Sequence, residues 1–207
     1  SLTTQGRIKK YWGRESFLLY PPVEIEKIKQ RKKPLAENDP KEDYFVVVGN
    51  LSPFKKVDLA IEACDRLGKK LLVIGDGKER KNLQKISGPT IKFMGSLSDE
   101  AVYYFVERAR AFLMPQVEDF GIAAVEAMAL GTPVIAFRSG GATESVQENV
   151  SGIFFEKQNA NSLIDAIKKF SETENQFDRG VLARSVEKFS KENFKKNFVD
   201  YLKSVGE

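Results

Sequence analysis

Two stretches of this 207-residue chain combine residue types and spacings suited to an anionic, hydroxyl-rich ligand. In the first, Val48-Gly49-Asn50-Leu51-Ser52-Pro53-Phe54-Lys55-Lys56, an apolar run gives way to a glycine turn and then to a lysine at the start of a helix. Gly49 lets the backbone approach a ligand closely. The following helix offers free N–H groups and a positive dipole end to an anion, and Lys55 adds a point charge for phosphate. A charge-assisted hydrogen bond of this kind is worth about 1.5–3 kcal/mol, although a loop lysine by itself is more often simply solvated. In the second, Glu118 stands in a loop before Gly121, and Glu126 follows inside a helix of small apolar residues. Burying such a carboxylate is costly unless it accepts hydrogen bonds, and sugar hydroxyls are suitable donors. The competing reading is a Glu126 that faces solvent. The N–H groups after Gly121 open toward the loop and suit a diphosphate. A third stretch, Gly140-Gly141-Ala142-Thr143-Glu144, is weaker, since a turn alone accounts for two glycines before a short helix.

These stretches sit between regularly alternating elements. Apolar runs at Tyr44 to Val48, Leu71 to Ile74, Ile91 to Met94, Ala111 to Met114, Pro133 to Phe137 and Gly152 to Phe155 read as six strands buried on both faces. Helices are expected between them: Val57 to Leu67, a charged one after Gly77, one capped by Ser98 with Asp99 and Glu100 in its first turn, Gly121 to Leu130, a short one after Gly141, and Asn161 to Phe170. The alternation predicts an α/β fold, a doubly wound, Rossmann-like, six-stranded parallel sheet with ligands at the carboxyl ends of its strands. Residues 1–43 read as an irregular approach segment, stiffened at Tyr20-Pro21-Pro22. Residues 44–172 read as the sheet domain and 173–207 as terminal helices. In the last of these, Phe194, Phe198, Tyr201, Leu202 and Val205 share one face that needs a partner surface, on this domain or on another.

Composition removes several classes of chemistry. There is no histidine and one cysteine, so histidine triads, histidine metal ligands and internal disulfides are excluded. Cys64 lies in a helical stripe with Ala60, Ala63 and Leu67 and reads as a small buried hydrophobe. The formal net charge of +4 is scattered. The densest basic cluster, Lys29 to Lys33, lacks the interleaved aromatics of single-strand binding and reads as a solvated linker, so no nucleic-acid partner is expected. No apolar run approaches the roughly 20 residues that cross a bilayer, and no signal-peptide pattern opens the chain. A reducing, cytoplasmic setting is expected, with at most peripheral contact at the cytoplasmic membrane face.

Taken in order, VGNLSPFKKVDLAIEA, IGDGKERKNL, IKFMGSLSDE, AFLMPQVEDFGIAAVEAMALGTPVIA, GGATE and SGIFF resemble the C-terminal donor-binding domain of family 4 retaining glycosyltransferases, enzymes of the two-domain GT-B architecture. LLYPPVE near Leu18 to Glu24 is similar to the family's lead into that domain. The resemblance runs from about Tyr44 to Phe170. It implies transfer of a hexosyl group, mannosyl or glucosyl, from a nucleotide diphosphate sugar to a glycan or lipid-linked acceptor. No cofactor and no metal are implied. An N-terminal acceptor domain belongs to the full-length architecture, and the terminal helices would pack on it; the fragment alone would be inactive. Residue by residue, Lys55 would hold the donor phosphates beside Gly49 and Asn50. Phe93, Met94 and Gly95 would lie against the base. Glu118 would contact the sugar near the reacting carbon. Phe120, Gly121 and Ile122 would present backbone groups, and Glu126 would bind the ribose. Glu118 and Lys55 are the residues expected to carry catalysis. The chain departs from the family pattern at Asn50, where an arginine is usual, and at Phe54, where a glutamate is usual. Two other readings stay open: a GT-B nucleotide-sugar epimerase and a non-catalytic nucleotide-sugar-binding subunit. A glycan phosphorylase would need a pyridoxal-phosphate lysine site, which no segment resembles.

Overall fold

A computed structural model describes residues 1–31, 34–36 and 39–205. Its elements in chain order are α1 (Leu2–Trp12), α2 (Ile25–Lys29), β1 (Phe45–Val48), α3 (Val57–Arg66), β2 (Leu71–Ile74), α4 (Arg80–Ile86), β3 (Ile91–Gly95), α5 (Asp99–Arg108), β4 (Phe112–Met114), α6 (Ile122–Ala129), β5 (Val134–Phe137), α7 (Ala142–Ser145), β6 (Gly152–Phe155), α8 (Ala160–Thr173), α9 (Arg179–Ser185) and α10 (Lys191–Val205). The six strands form one sheet in the order β3-β2-β1-β4-β5-β6, every pair parallel. The expected doubly wound sheet is therefore present.

Side-chain alternation explains why both faces of the strands had to be apolar. Phe45 and Val47 point to one side, where they pack with Leu71, Val73, Leu113, Ile135 and Phe155 under α3 and α8. Val46 points to the other, among Ile74, Phe112, Met114, Val134 and Ala136 under α5 and α6. Successive strand residues face opposite ways, so a sheet covered on both sides shows no polar alternation. Cys64 is fully buried in the first of these cores, and desolvation pushes its thiol up to about 12. It is a packing residue, as expected.

The approach segment is more ordered than its composition suggests. Residues 1–43 were expected to be irregular, yet they include α1 and α2. Helix α1 buries none of its side chains, so no apolar stripe announces it. What holds its start is remote: the Glu144 carboxylate accepts from the backbone N–H of Leu2 (2.7 Å) and Thr3 (3.0 Å) and from the Thr3 hydroxyl (2.9 Å). Ser1 adds a cap to the Thr4 N–H at 3.1 Å. Helix α2 is shorter but buries Ile25 and Ile28. Lys29, from the basic cluster, pairs with Glu26 and Glu187; Lys32, Lys33 and the expected breaker Asn38 lie outside the described residues. Tyr201 of α10 stacks on Phe17 of the approach segment with ring centroids 4.3 Å apart, while Phe198, Leu202 and Val205 of the same helix stay exposed.

Candidate functional site

In a doubly wound sheet the strand order reverses at one point, and the loops on either side splay apart to leave a crevice. Here the reversal lies between β1 and β4. The loops leaving those two strands are the Gly49-to-Lys55 and Pro115-to-Gly121 segments singled out above. The structure brings them together: Lys55 Nζ pairs with Glu118 Oε1 across the crevice. Gln116, itself buried, donates its Nε2–H to the same oxygen at 3.0 Å.

Local sequence sets these positions. Pro53 fixes its φ and opens a single 3₁₀ turn, Pro53–Lys55, closed by the Lys55 N–H to the Ser52 carbonyl at 3.0 Å. Lys56 then adopts a left-handed conformation before α3. Helix α3 begins at Val57 as expected, and Lys55 stands just ahead of it on this turn, because the proline-led turn and left-handed Lys56 use up the residues between strand and helix. On the β4 side, Gly121 takes φ +89°, a left-handed value that a side chain rarely adopts, and starts α6 with no side-chain cap. The start of α6, whose first residues line the crevice, is thus left without a side-chain cap at the end where a helix carries partial positive charge.

Lys55, Gln116, Glu118, Phe120, Gly121 and Ile122 line one cleft of about 320 Å³. Gly49 and Asn50 line a recess that shares Lys55 and Gln116 with it. Phe120 contributes backbone only, because its ring is buried against Tyr20 and Phe189. Glu126 lies one turn after Ile122 on α6. It is partly buried, and its carboxyl is raised above the usual range by desolvation and then by the nearby Asp99 charge, with Lys27 opposing. It does not line the Lys55–Glu118 cleft. Phe93, Met94 and Gly95 are further off still, at the end of edge strand β3. Strand spacings of about 4.8 Å put β3 three strands, or about 14 Å, from β4. The two side chains pack into the cores on either face of the sheet, and the Gly95 carbonyl accepts from the Gly75 N–H at 2.8 Å.

Four site-flanking residues carried no role of their own in the sequence pattern, although Glu144 closes the Gly140-to-Glu144 stretch. Gln116 follows Pro115 just beyond the end of β4. Asp119 pairs with Arg7 of α1. Glu144 clasps the start of α1; burial works to raise its pKa, but the Thr3 and Leu2 hydrogen bonds outweigh that and hold it below the usual carboxylate range. Arg80 pairs with Asp76 at 2.7 Å and lies over Gly95. A larger cleft of about 500 Å³, beside Lys41, Arg110 and Arg179, opens at the opposite, amino-terminal ends of the strands. It is remote from the switch point. Among the described residues no group of three or more Cys, Asp or Glu side chains is placed to hold a metal ion, and no helix is long and apolar enough to cross a membrane.

A switch-point crevice with a lysine, a carboxylate and an uncapped helix start is the arrangement of a doubly wound α/β domain whose crevice suits an anion. The chain belongs to the family Glycosyl transferases group 1, whose model matches residues 27–192. It is 32% identical over 164 residues to an uncharacterised glycosyltransferase of Methanocaldococcus jannaschii, covering 77% of this chain and 46% of that one. It is 27% identical over 189 residues to the GDP-mannose-dependent alpha-(1-6)-phosphatidylinositol monomannoside mannosyltransferase of Mycobacterium tuberculosis, covering 79% and 49%. The fold matches that of Anabaena HepE, solved in complex with UDP and glucose, with a TM-score of 0.81 at 21% identity over 99% of this chain and 61% of that one. The chain thus spans about half the length of the curated relatives it matches.

Proposed function

We propose that this chain is the donor-binding half of a retaining hexosyltransferase that moves a mannosyl or glucosyl group from a nucleotide diphosphate sugar to a glycan or lipid-linked acceptor. The observation that carries the reading is the Lys55–Glu118 pair across the switch point, beside the uncapped start of α6. As the glycosidic bond breaks, the leaving diphosphate gains negative charge. Lys55 and the α6 N–H groups meet that charge without a metal ion. A helix start contributes about 0.3–1 kcal/mol when exposed and up to about 2 when partly buried, so Lys55 is the larger contributor. Glu118 faces the sugar, whose transition state is oxocarbenium-like.

Glu126 takes the ribose diol, and the β3 end around Gly95 lies against the base. A mannosyl donor is supported by the name of the mycobacterial relative, and a glucosyl donor by the ligands of HepE. The exposed face of α10 and the α1 surface bearing Tyr11 and Trp12 suit packing against an acceptor domain elsewhere in a longer protein. That protein would work in the cytoplasm, with peripheral membrane contact.

Calorimetric titration with UDP, GDP and ADP in the presence of EDTA tests the reading directly. One nucleotide should bind, and Lys55→Ala should weaken it about tenfold or more, the equivalent of about 1.4 kcal/mol. Failure of all three to bind would remove the donor-site assignment. An unchanged dissociation constant in the variant at low salt would remove Lys55 from it.

The raised carboxyl of Glu126 supplies a pH test. Ribose hydroxyls donate to the ionised form, so binding releases whatever proton Glu126 holds, and affinity falls as pH drops through its raised value. Comparing the nucleotide with its 2′,3′-dideoxy analogue between neutral and acidic pH cancels titration of the phosphates. The ribonucleotide should lose more affinity than the analogue, and Glu126→Gln should abolish that difference. Parallel pH profiles in the wild type would dismiss the ribose role. Asn50 favours a second reading, a subunit that binds nucleotide sugar without turnover, because an exposed amide carries no charge for phosphate. Donor binding with no transfer by the full-length protein would select it.

A further inference from the structure

The donor reading leaves a conflict inside the site. The cation assigned to the diphosphate is already paired, and its partner is the carboxylate assigned to the sugar. We propose that Glu118 serves as an internal stand-in for the diphosphate, that the donor takes Lys55 from it by exchange, and that Gln116 is the positioning residue that keeps Glu118 in place once Lys55 has left. This rests on the donor-site reading and adds an order of events and a residue to it.

The geometry carries the argument. Lys55 and Gln116 converge on one oxygen of Glu118, Oε1, and neither engages Oε2. The two donors differ in kind. Lys55 has a flexible four-carbon stem on a surface turn and a side chain 30% exposed, so its ammonium can turn toward an incoming phosphate. Gln116 is only 8% exposed and sits two residues before Glu118, where strand β4 hands over to the loop. It has no comparable freedom. When phosphate oxygens draw Lys55 away, Glu118 loses its counter-ion but not its hydrogen bond. Its carboxylate then stays at the cleft wall, newly free to accept from sugar hydroxyls. An ammonium held by its own carboxylate also guards the empty crevice against other anions, because any anion must compete with Glu118 for it. Diphosphate and sugar are thereby coupled: the diphosphate frees the group that meets the sugar.

The test uses the 207-residue chain, the nucleoside diphosphate that binds it best, and the matching nucleotide sugar, titrated at two salt concentrations. Glu118→Gln keeps shape and removes the competing charge. It should tighten diphosphate binding about fivefold at low salt, less at high salt, and it should erase most of that gain in a Lys55→Ala background. Gln116→Leu should lose more of the affinity increment contributed by the sugar than of diphosphate affinity, which a general loss of structure would not do. Thermal melts of each variant identify misfolding, and Gln116→Met then replaces Gln116→Leu. Equal or weaker diphosphate binding by Glu118→Gln overturns the exchange, as does the same gain with and without Lys55. A Gln116 variant that loses both affinities in proportion overturns its positioning role. Absence of binding by the wild type and all variants instead removes the donor-site reading and the exchange with it.

Discussion

Glu107→Ala should destabilise the domain by about 3–5 kcal/mol in urea unfolding, the range seen when one partner of a buried ion pair is removed. Glu107 is 2% exposed at the end of α5. Its Oε1 accepts from Arg31 Nε at 3.1 Å and also from Arg31 Nη2, and its Oε2 faces Arg108 Nη1 at 3.5 Å. The Arg31 and Arg108 side chains are themselves only 16% and 13% exposed. Truncation would leave the Arg31 guanidinium poorly solvated and without its carboxylate, and would leave Arg108 to the longer carboxylate contact with Glu42 at 3.9 Å. Lys41 lies close by, its ammonium donating to the Glu107 backbone carbonyl and to the Thr132 hydroxyl, bonds that the truncation leaves in place. Burial and then the Arg179 charge lower Lys41 to about 7, with the Glu107 carboxylate pulling the other way. Without that carboxylate Lys41 falls further. The effect should reach the site, since Arg31 ties the end of α2 to α5, and α2 packs on α6, which carries Glu126. The double variant Arg31→Met/Glu107→Leu removes the best-placed pair together and should recover part of the loss. A cost below about 1 kcal/mol for Glu107→Ala would mean that the pair behaves as an exposed one.

The sheet was legible because its physics is local and repetitive. Val46 and Val47 must both be apolar in a strand with a covered face on each side, and the six apolar runs fell within a residue or so of the strands. The switch-point loops were legible through their glycines and charges. Helix α1 was not, because its order depends on Glu144, more than 140 positions away, rather than on any periodicity of its own. Glu107 was hidden for a related reason: on a helix of otherwise mixed character a glutamate reads as a solvent-facing residue, and only the path of the approach segment brings Arg31 to it. Gln116 offered no signal beyond its place after Pro115, since neither charge nor rarity marks a glutamine. Lys55 was legible just ahead of the helix that starts at Val57, but the 3₁₀ turn that carries it was not, because the left-handed conformation of Lys56 cannot be read from a lysine.

Gly141→Ala should cost about 3 kcal/mol, at the upper end of the range for overpacking, and lower the melting temperature by about 6–12 °C in a chain of this size. The backbone of Gly141 has φ −61° and ψ −19°, which alanine adopts without strain, so conformation is not the obstacle. Space is. A Cβ there would lie 2.2 Å from the Phe120 Cα and 2.6 Å from the Asp119 carbonyl oxygen. These are backbone atoms that no rotamer change removes, so the loop after β5 must part from the loop after β4. That contact is held by the Gly141 N–H to the Glu118 carbonyl at 2.7 Å and by the bridge between Glu118 and Gly140. Parting the loops moves Glu118 off the cleft wall where it would meet the sugar, so the affinity increment contributed by the donor sugar should fall along with stability. Gly6→Ala is the matched control: it lies within helix α1 with nothing inside 4 Å of a new Cβ, and it should be neutral or stabilising by about 0.5–1 kcal/mol. If Gly141→Ala melted with the wild type, the two loops would not be in contact in solution, and the route by which the β5 loop fixes Glu118 would be lost. If it melted early but kept the affinity increment contributed by the sugar, the contact would matter for folding while Glu118 found its place by Gln116 and Lys55 alone.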